Sequence, residues 1–202
     1  MKVDVLDLGL GNLLSIKRGL ERAGAEVCIK GGDSAGENAE ADVIVLPGVG
    51  AFRDGISALR RFNKTIKDVR EGKKPLLGLC LGMQLFFTKS YEGGDYSGLD
   101  LMKGEVVKLP DSVKVPQMGW NALKTTKRSH ILSGIREGEF FYFVHSYYCK
   151  PEEDVVVASS EYGIDVPAIV VKGNIYGTQF HPEKSGRAGL TILKNFLEAS
   201  RR

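Results

Sequence analysis

The reactive chemistry of this chain gathers at Cys80 and, far along the sequence, at His181 and Glu183. Cys80 is the centre of Gly78-Leu79-Cys80-Leu81-Gly82, where a predicted strand meets a predicted helix. This is the G-x-nucleophile-x-G spacing of a strand-to-helix elbow, with cysteine in the serine position. The flanking glycines leave room where the turn brings backbone against backbone. The middle residue is forced into a strained conformation that projects its thiol from the carboxyl edge of the sheet. A helix amino terminus there favours the thiolate, and the N–H of Leu81 points at a developing oxyanion. A free cysteine is usually core, so the pentapeptide alone leaves both readings open. Cys28 and Cys149 lack such a turn and are expected in the core.

A thiol nucleophile needs an imidazole to take its proton, and the imidazole needs a carboxylate to hold its tautomer. Gln179-Phe180-His181-Pro182-Glu183-Lys184 offers both at the end of an apolar strand, two residues apart around a rigid proline. His-x-Glu also begins the zinc deaminase motif, but that needs a downstream P-C-x-x-C, and no cysteine follows position 149. No metal site is expected. His130 lies in a polar stretch and reads as surface; His145 lies in an aromatic strand and reads as structural.

The elements that must position these groups change character along the chain. In the first half, apolar runs at 3–8, 26–29, 42–46 and 75–79 read as strands, the second ending in a turn-rich stretch over 31–36. Helical patterns stand between them: Leu13, Ile16, Leu20 and Ala23; then Ile56, Leu59, Phe62, Ile66 and Val69; then a helix beginning near Leu81. Strands separated by helices imply an open, mostly parallel sheet covered on both faces. In the second half, strand-like runs at 105–109, 118–124, 139–149, 155–160, 168–171 and 174–180 follow one another directly, which predicts an antiparallel or mixed extension. Residues 186–200 read as a closing amphipathic helix. No linker divides the chain, so 1–202 is expected to form one domain.

Composition narrows the function classes. The 202 residues are 43% hydrophobic and 26% charged, with a net charge of +3, the profile of an ordinary globular protein. That charge is too small to argue for nucleic acid. Lys73-Lys74, Lys127-Arg128 and Arg201-Arg202 read as solvated surface. Three widely spaced cysteines fit a reducing cytoplasm better than a disulfide framework. Asp4 and Asp7 interrupt the early apolar stretch, so no signal peptide is expected, and no run approaches a membrane span. Gly9-x-Gly11 is no dinucleotide fingerprint, because Leu14 takes the third glycine position; it reads as a tight turn before a helix.

Pro47-Gly48-Val49-Gly50 ends the third predicted strand on the same edge as Cys80 and could donate a second N–H to the oxyanion. Together with 78–84 and 179–185, in that order, it closely resembles the triad-type (class I) glutamine amidotransferases, whose fold is flavodoxin-like. Asp7-x-Gly9-x-Gly11-Asn12, Met118-Gly119-Trp120-Asn121 and 142–147 narrow the resemblance to the glutaminase subunits of imidazole glycerol phosphate synthases. It spans the chain from about Asp7 to Ser185.

The resemblance implies that Cys80 attacks the carboxamide of glutamine while His181, oriented by Glu183, moves protons, with no cofactor. It implies an oxyanion hole from the N–H groups of Leu81 and of Val49 and Gly50. Gly48, Gln84 and the backbone at Ser146 and Tyr147 would hold the amino-acid end of the substrate. Ammonia would pass to a separate (β/α)8-barrel cyclase subunit, with Asn12, Trp120 and Lys184 as candidates for the docking face. Leu8 and Gln117 stand where tyrosine and histidine are expected; they bear on peripheral contacts, away from the triad. Two rivals remain: the glutaminase of another ammonia-using synthase, such as that for pyridoxal phosphate, and a non-catalytic flavodoxin-like binding module that leaves Cys80, His181 and Glu183 unrelated in space.

Overall fold

The structure, a computed structural model, describes residues 1–32 and 41–201. The turn-rich stretch expected over 31–36 lies outside the described residues from position 33 on, and so does Arg202. In chain order the elements are β1 (Lys2–Leu6), α1 (Leu13–Arg22), β2 (Glu26–Lys30), β3 (Val43–Leu46), α2 (Phe52–Leu59), α3 (Asn63–Arg70), β4 (Leu76–Leu79), α4 (Leu81–Gln84), β5 (Lys89–Ser90), β6 (Tyr96–Ser97), β7 (Gly104–Lys108), β8 (Gln117–Ala122), β9 (Lys124–Thr125), β10 (Phe140–His145), β11 (Tyr147–Pro151), β12 (Val156–Glu161), β13 (Asp165–Lys172), β14 (Ile175–Thr178) and α5 (Gly186–Ala199).

The main sheet runs β2-β1-β3-β4-β14-β13-β12-β9. Pairing is parallel from β2 to β14 and antiparallel from there to β9. Its strands β3 and β4 carry no polar side chain and are buried throughout, because both faces are covered. In β3, Val43 and Val45 pack with Ile16 and Leu20 of α1 and Phe196 of α5. Ile44 and Leu46 point the other way, onto Phe52 and Leu59 of α2 and Ile66 of α3. The alternation has the period of two that a strand imposes.

The sequence expectation of an α/β sheet with an antiparallel extension holds, with differences in detail. The short strands β5 and β6 have no counterpart in it, and the run 118–124 is divided between β8 in a separate ribbon and β9 in the main sheet. The helix expected through Ile56 to Val69 is broken by a 3-10 turn at Arg60–Phe62. Positions 56, 59 and 62 recur every third residue, so an apolar stripe at that spacing reaches the core only if the helix tightens. The run 139–149 is two strands in different sheets: β10 pairs with β8 in a separate ribbon, and β11 joins β7, β5 and β6. The helix after Cys80 is one turn long, followed by Phe86 and Phe87 N–H groups bonded three residues back; so short a helix sums few peptide dipoles. Cys28 is exposed rather than core, because β2 is the edge of the sheet and covered on one side only. Cys149 is buried as expected. Among the described residues no helix is long and apolar enough to cross a membrane.

Candidate active site

Parallel pairing at the centre of the sheet brings the candidate residues to one edge. β3, β4 and β14 are neighbours, in a register that sets Leu46 beside Gly78 and Leu79 beside Thr178. The chain therefore leaves these strands side by side, into the 47–50 turn, into Cys80 and into Gln179. The Cys80 N–H donates to the Thr178 carbonyl at 2.7 Å, carrying the pairing one residue past the strand. The carboxyl edge of an open parallel sheet is where such folds place ligands.

Cys80 has φ +52° and ψ −107°, a region that non-glycine residues seldom enter. Its neighbours make that turn possible by having no side chains. A Cβ on Gly82 would stand 2.0 Å from the Leu46 carbonyl oxygen, and one on Gly78 would stand 2.3 Å from the Phe86 ring. Gly48 fits against the same knot, where a Cβ would meet that of Leu81 at 2.6 Å. Leu81 is the first residue of its helix, so its N–H has no intrahelical acceptor.

His181 and Glu183 sit on the turn Pro182–Lys184 and just before it. Nδ1 of His181 lies 2.9 Å from Oε1 of Glu183, with both side chains 2% exposed. The turn is pinned from the ribbon: the His181 N–H donates to the Tyr142 carbonyl at 2.9 Å, and the Ser185 hydroxyl donates to the His181 carbonyl at 2.7 Å. Helices close on it from two sides at glycines. A Cβ on Gly19 of α1 would come to 3.2 Å from that of Glu183, and one on Gly189 of α5 to 1.9 Å from the Pro182 carbonyl oxygen.

Burial pushes the His181 pKa down, but hydrogen bonding to Cys80 and Glu183 and their negative charge outweigh it, so the imidazole is held well above its usual range. Nε2 is buried with no partner of good geometry. The thiol instead lies 3.7 Å from the Val144 carbonyl oxygen. The imidazole is thus positioned beside the sulfur with its far nitrogen tied to a carboxylate and its near nitrogen unoccupied.

A cavity of about 260 Å³ opens beside Cys80. Of the residues named from sequence, Val49, Gly50, Leu81, Gln84, Ser146 and Tyr147 line it, and Gly48 does not. Val49 is exposed and Gly50 has φ +137°, open to glycine alone. The break between β10 and β11 falls at Ser146, which leaves this backbone beside the cavity. Gln84 donates to the Tyr147 carbonyl at 2.9 Å and to Oε1 of Gln179 at 3.1 Å.

The structure adds residues that sequence reading passed over. Glu92 lines the cavity and accepts the Phe52 N–H at 2.8 Å. Burial is the main cause of its raised pKa, with the Asp54 charge adding to it against the Phe52 bond. It lies in a polar turn with no periodicity to mark it. Gln179 is fully buried against the sulfur. His145 is more than a structural histidine: its Nδ1 lies 2.9 Å from the Tyr147 carbonyl oxygen, its Nε2 is buried and unpartnered, and the ring lines the cavity. Burial, with a smaller push from His181, lowers its pKa to about 4 against the Tyr147 bond. His130 is half-buried, on the 3-10 turn His130–Leu132.

Leu8 and Gln117 are both buried. Leu8 belongs to the core under α2, and Gln117 pairs across the ribbon with His145, its Oε1 unpartnered. Trp120 and Lys184 are exposed, as is Asn12, whose side chain caps α1 by accepting the Ser15 N–H at 3.3 Å. On the outer face of the ribbon, Met118, Trp120 and Phe140 stand in solvent. Trp120 meets Tyr142 edge to face at 6.1 Å, and Lys184 Nζ lies 5.8 Å from the centre of the Tyr142 ring.

These features agree with what comparison with known proteins finds. The family model for glutamine amidotransferase class-I matches residues 4–199. The chain is 49% identical to imidazole glycerol phosphate synthase subunit HisH of Methanosarcina mazei, over 98% of each chain. It is 48% identical to the subunit of that name from Archaeoglobus fulgidus, over 99% of this chain and 100% of the relative. Among solved structures, PurLQS from Thermotoga maritima superposes with a TM-score of 0.77 at 22% identity, over 98% of this chain and 97% of the other, a likeness of fold. The chain belongs to the class-I glutamine amidotransferases and, within them, to the family of the HisH subunits.

Proposed function

We propose that this chain, acting as one domain over 1–202, is the glutaminase subunit of an imidazole glycerol phosphate synthase. It hydrolyses glutamine to glutamate and ammonia and passes the ammonia to a (β/α)8-barrel cyclase subunit. The cyclase uses it to convert a phosphoribulosyl formimino carboxamide nucleotide into imidazole glycerol phosphate and aminoimidazole carboxamide ribotide. The observation that carries the reading is the meeting of a strained Cys80 with a His181–Glu183 pair at the ends of adjacent parallel strands, in a chain close to the HisH subunits over nearly its whole length.

In this reading the Cys80 proton passes to Nε2 of His181 and the thiolate attacks the carboxamide carbon. Negative charge on the carbonyl oxygen is met by the N–H of Leu81 and by N–H groups of the Val49–Gly50 turn. The tetrahedral intermediate expels ammonia as His181 returns its proton to the leaving nitrogen. Water, deprotonated by the same imidazole, then cleaves the glutamyl thioester. Glu183 holds the tautomer. Glu92 and the carbonyls near Ser146 stand across the cavity, where an ammonium group of the substrate would be met. The exposed Met118, Trp120 and Phe140 face, with Lys184 and Asn12, is the docking surface for the cyclase. Three free cysteines suit the reducing cytoplasm.

The test is covalent labelling by a glutamine-mimicking electrophile, followed by peptide mapping. Cys80 is expected to carry the label and excess glutamine to protect it. Label at Cys28 or Cys149 alone would remove the reading. Glutamate release with and without the cyclase separates the glutaminase of this synthase from that of another.

A further inference from the structure

Gln179 occupies a position that the triad chemistry leaves unused. Its side chain is fully buried, and its Nε2 lies 3.5 Å from the sulfur of Cys80. Such a contact carries meaning only if the nitrogen, not the oxygen, faces the sulfur. The surrounding hydrogen bonds determine which. The Tyr147 carbonyl can only accept, so Gln84 must present its amide nitrogen there, at 2.9 Å. The same nitrogen reaches Gln179 at 3.1 Å, which requires the Gln179 oxygen on that side. The Gln179 amide nitrogen is then directed at Cys80 by a chain that begins at a backbone group.

We propose that Gln179 is the donor that stabilises the Cys80 thiolate, a reading that rests on Cys80 as the nucleophile. When the thiol proton moves to Nε2 of His181, the sulfur becomes an anion that accepts the Gln179 N–H, and a hydrogen bond to an ion is the stronger kind. The uncharged thiol has a different partner, the Val144 carbonyl at 3.7 Å, which repels the anion. Removing the donor leaves the sulfur with a carbonyl that favours its protonated form. The one-turn helix after Cys80 contributes little in its place. The other titratable groups around the sulfur among the described residues are His181 with Glu183 behind it, His145, Glu92 and Tyr147 lining the cavity, and the buried Cys149. A substitution at 179 leaves all of them standing.

The experiment is the pH profile of Cys80 alkylation by iodoacetamide, followed on the Cys80 peptide by mass spectrometry so that Cys28 and Cys149 do not contribute. Gln179→Met keeps the length and burial of the side chain and removes the donor. Its alkylation midpoint is expected to rise by about one pH unit, a tenfold loss of thiolate below the midpoint, which is the size a hydrogen bond to an ion supplies. The acid limb of glutamine turnover should move with it and activity recover at higher pH, which a merely structural role would not produce. A folded Gln179→Met protein with the wild-type profile overturns the proposal. Should that variant not fold, the wild-type chain still decides. The Gln179 side-chain amide proton is expected to shift through the same midpoint by NMR, and not to shift in Cys80→Ser; a resonance that does not titrate overturns the proposal. Glutamine hydrolysis retained in Cys80→Ser would instead remove the nucleophile, whatever position 179 does.

Discussion

Around Cys80 the chain is shaped by missing side chains. Gly48, Gly78 and Gly82 let three backbone segments approach so closely that a Cβ on any of them would overlap a neighbour. Around His181 it is shaped by groups that are present: the Glu183 carboxylate, the Tyr142 peptide and the Ser185 hydroxyl each hold one atom of the base or its backbone. The difference follows from the two tasks. A nucleophile must stand clear in one direction, and a strained turn secures that at a cost of about 1–3 kcal/mol in backbone energy. A base must present one of two nitrogens in one tautomer, which only specific partners can determine. The nucleophile side should therefore respond all or nothing, and the base side by degrees.

Cys80→Ser provides the sharpest break. Serine fits the same turn and cannot readily form the anion, so glutamine turnover should fall by about 10,000-fold or more, with thermal unfolding nearly unchanged. Synthesis from free ammonium by the complex should persist, because that chemistry lies in the cyclase. Near-normal turnover in the serine variant would remove Cys80 from its role.

The base side should be graded. His181→Ala is expected to lower turnover by roughly 1,000–10,000-fold, and Glu183→Gln by about 100-fold, since a misoriented imidazole still takes some protons. A glutamine variant slower than the alanine variant would invert the assigned roles.

The Val49–Gly50 turn belongs to neither pattern. It is half in solvent, and Gly50 at φ +137° can also adopt negative φ, so the peptide before it has two orientations open to it. One presents an N–H to the oxyanion and the other a carbonyl. An oxyanion donor is worth about 2.7–4 kcal/mol, so the chain alone should be at least roughly a hundredfold slower than the chain docked to its cyclase and that subunit's ligand. The partner must bind the competent orientation better to shift it. Full activity of the chain alone would end the gating idea and leave Cys80 and His181 as they are.

How much of this is legible in the sequence follows the same division. The elbow at 78–82 and the His-Pro-Glu turn are each contiguous, so the chemistry they could perform is legible, although the elbow alone leaves Cys80 open to a core reading. What the sequence hides is what depends on strands meeting. Residues 139–149 carry an aromatic-rich pattern interrupted only at His145-Ser146, and the chain changes sheets there, because β8 and β7 are the partners of its two parts. The polarity of the Gln84–Gln179 pair exists only once Tyr147 lies beside it, and Glu92 has no neighbour in the sequence that marks it. Cys28 lies in a strand that the fold leaves at the edge of the sheet, and nothing in its local sequence distinguishes an edge strand from a covered one.

Gly189 connects the two patterns and offers a smaller perturbation. Alanine is ordinarily better than glycine inside a helix by about 1 kcal/mol. Here its Cβ would stand 1.9 Å from the Pro182 carbonyl oxygen, so the His181–Glu183 turn must move. Gly189→Ala should lower kcat by about 10–100-fold, the scale of a misplaced catalytic group, with little change in Cys80 alkylation. Equal loss in both would show that the two turns are not held separately.

The smallest effect expected is on stability rather than rate, and it sharpens the contrast within the base side. His145, at the end of the ribbon strand β10, feels the charge of His181, beyond β14 of the main sheet, and the two are displaced in opposite directions. The folded pKa of His145, about 4, lies below the value of about 6.5 expected in the unfolded chain. Its contribution is therefore fully present above pH 6.5 and is lost as pH falls from there through 4. At about 1.4 kcal/mol per unit the whole loss is at most about 3–4 kcal/mol. His181 is raised, so its contribution is complete below pH 6.5 and declines only as pH rises; it is flat across the acid window and cannot mask the first. His145→Asn keeps an amide nitrogen to meet the Tyr147 carbonyl and cannot titrate. Urea unfolding between pH 4 and 7 should show the wild type losing stability relative to the variant on the acid side, while the two run parallel above pH 7. Parallel curves throughout would mean that His145 charges freely in the folded chain, and its unpartnered Nε2 would then have to reach water.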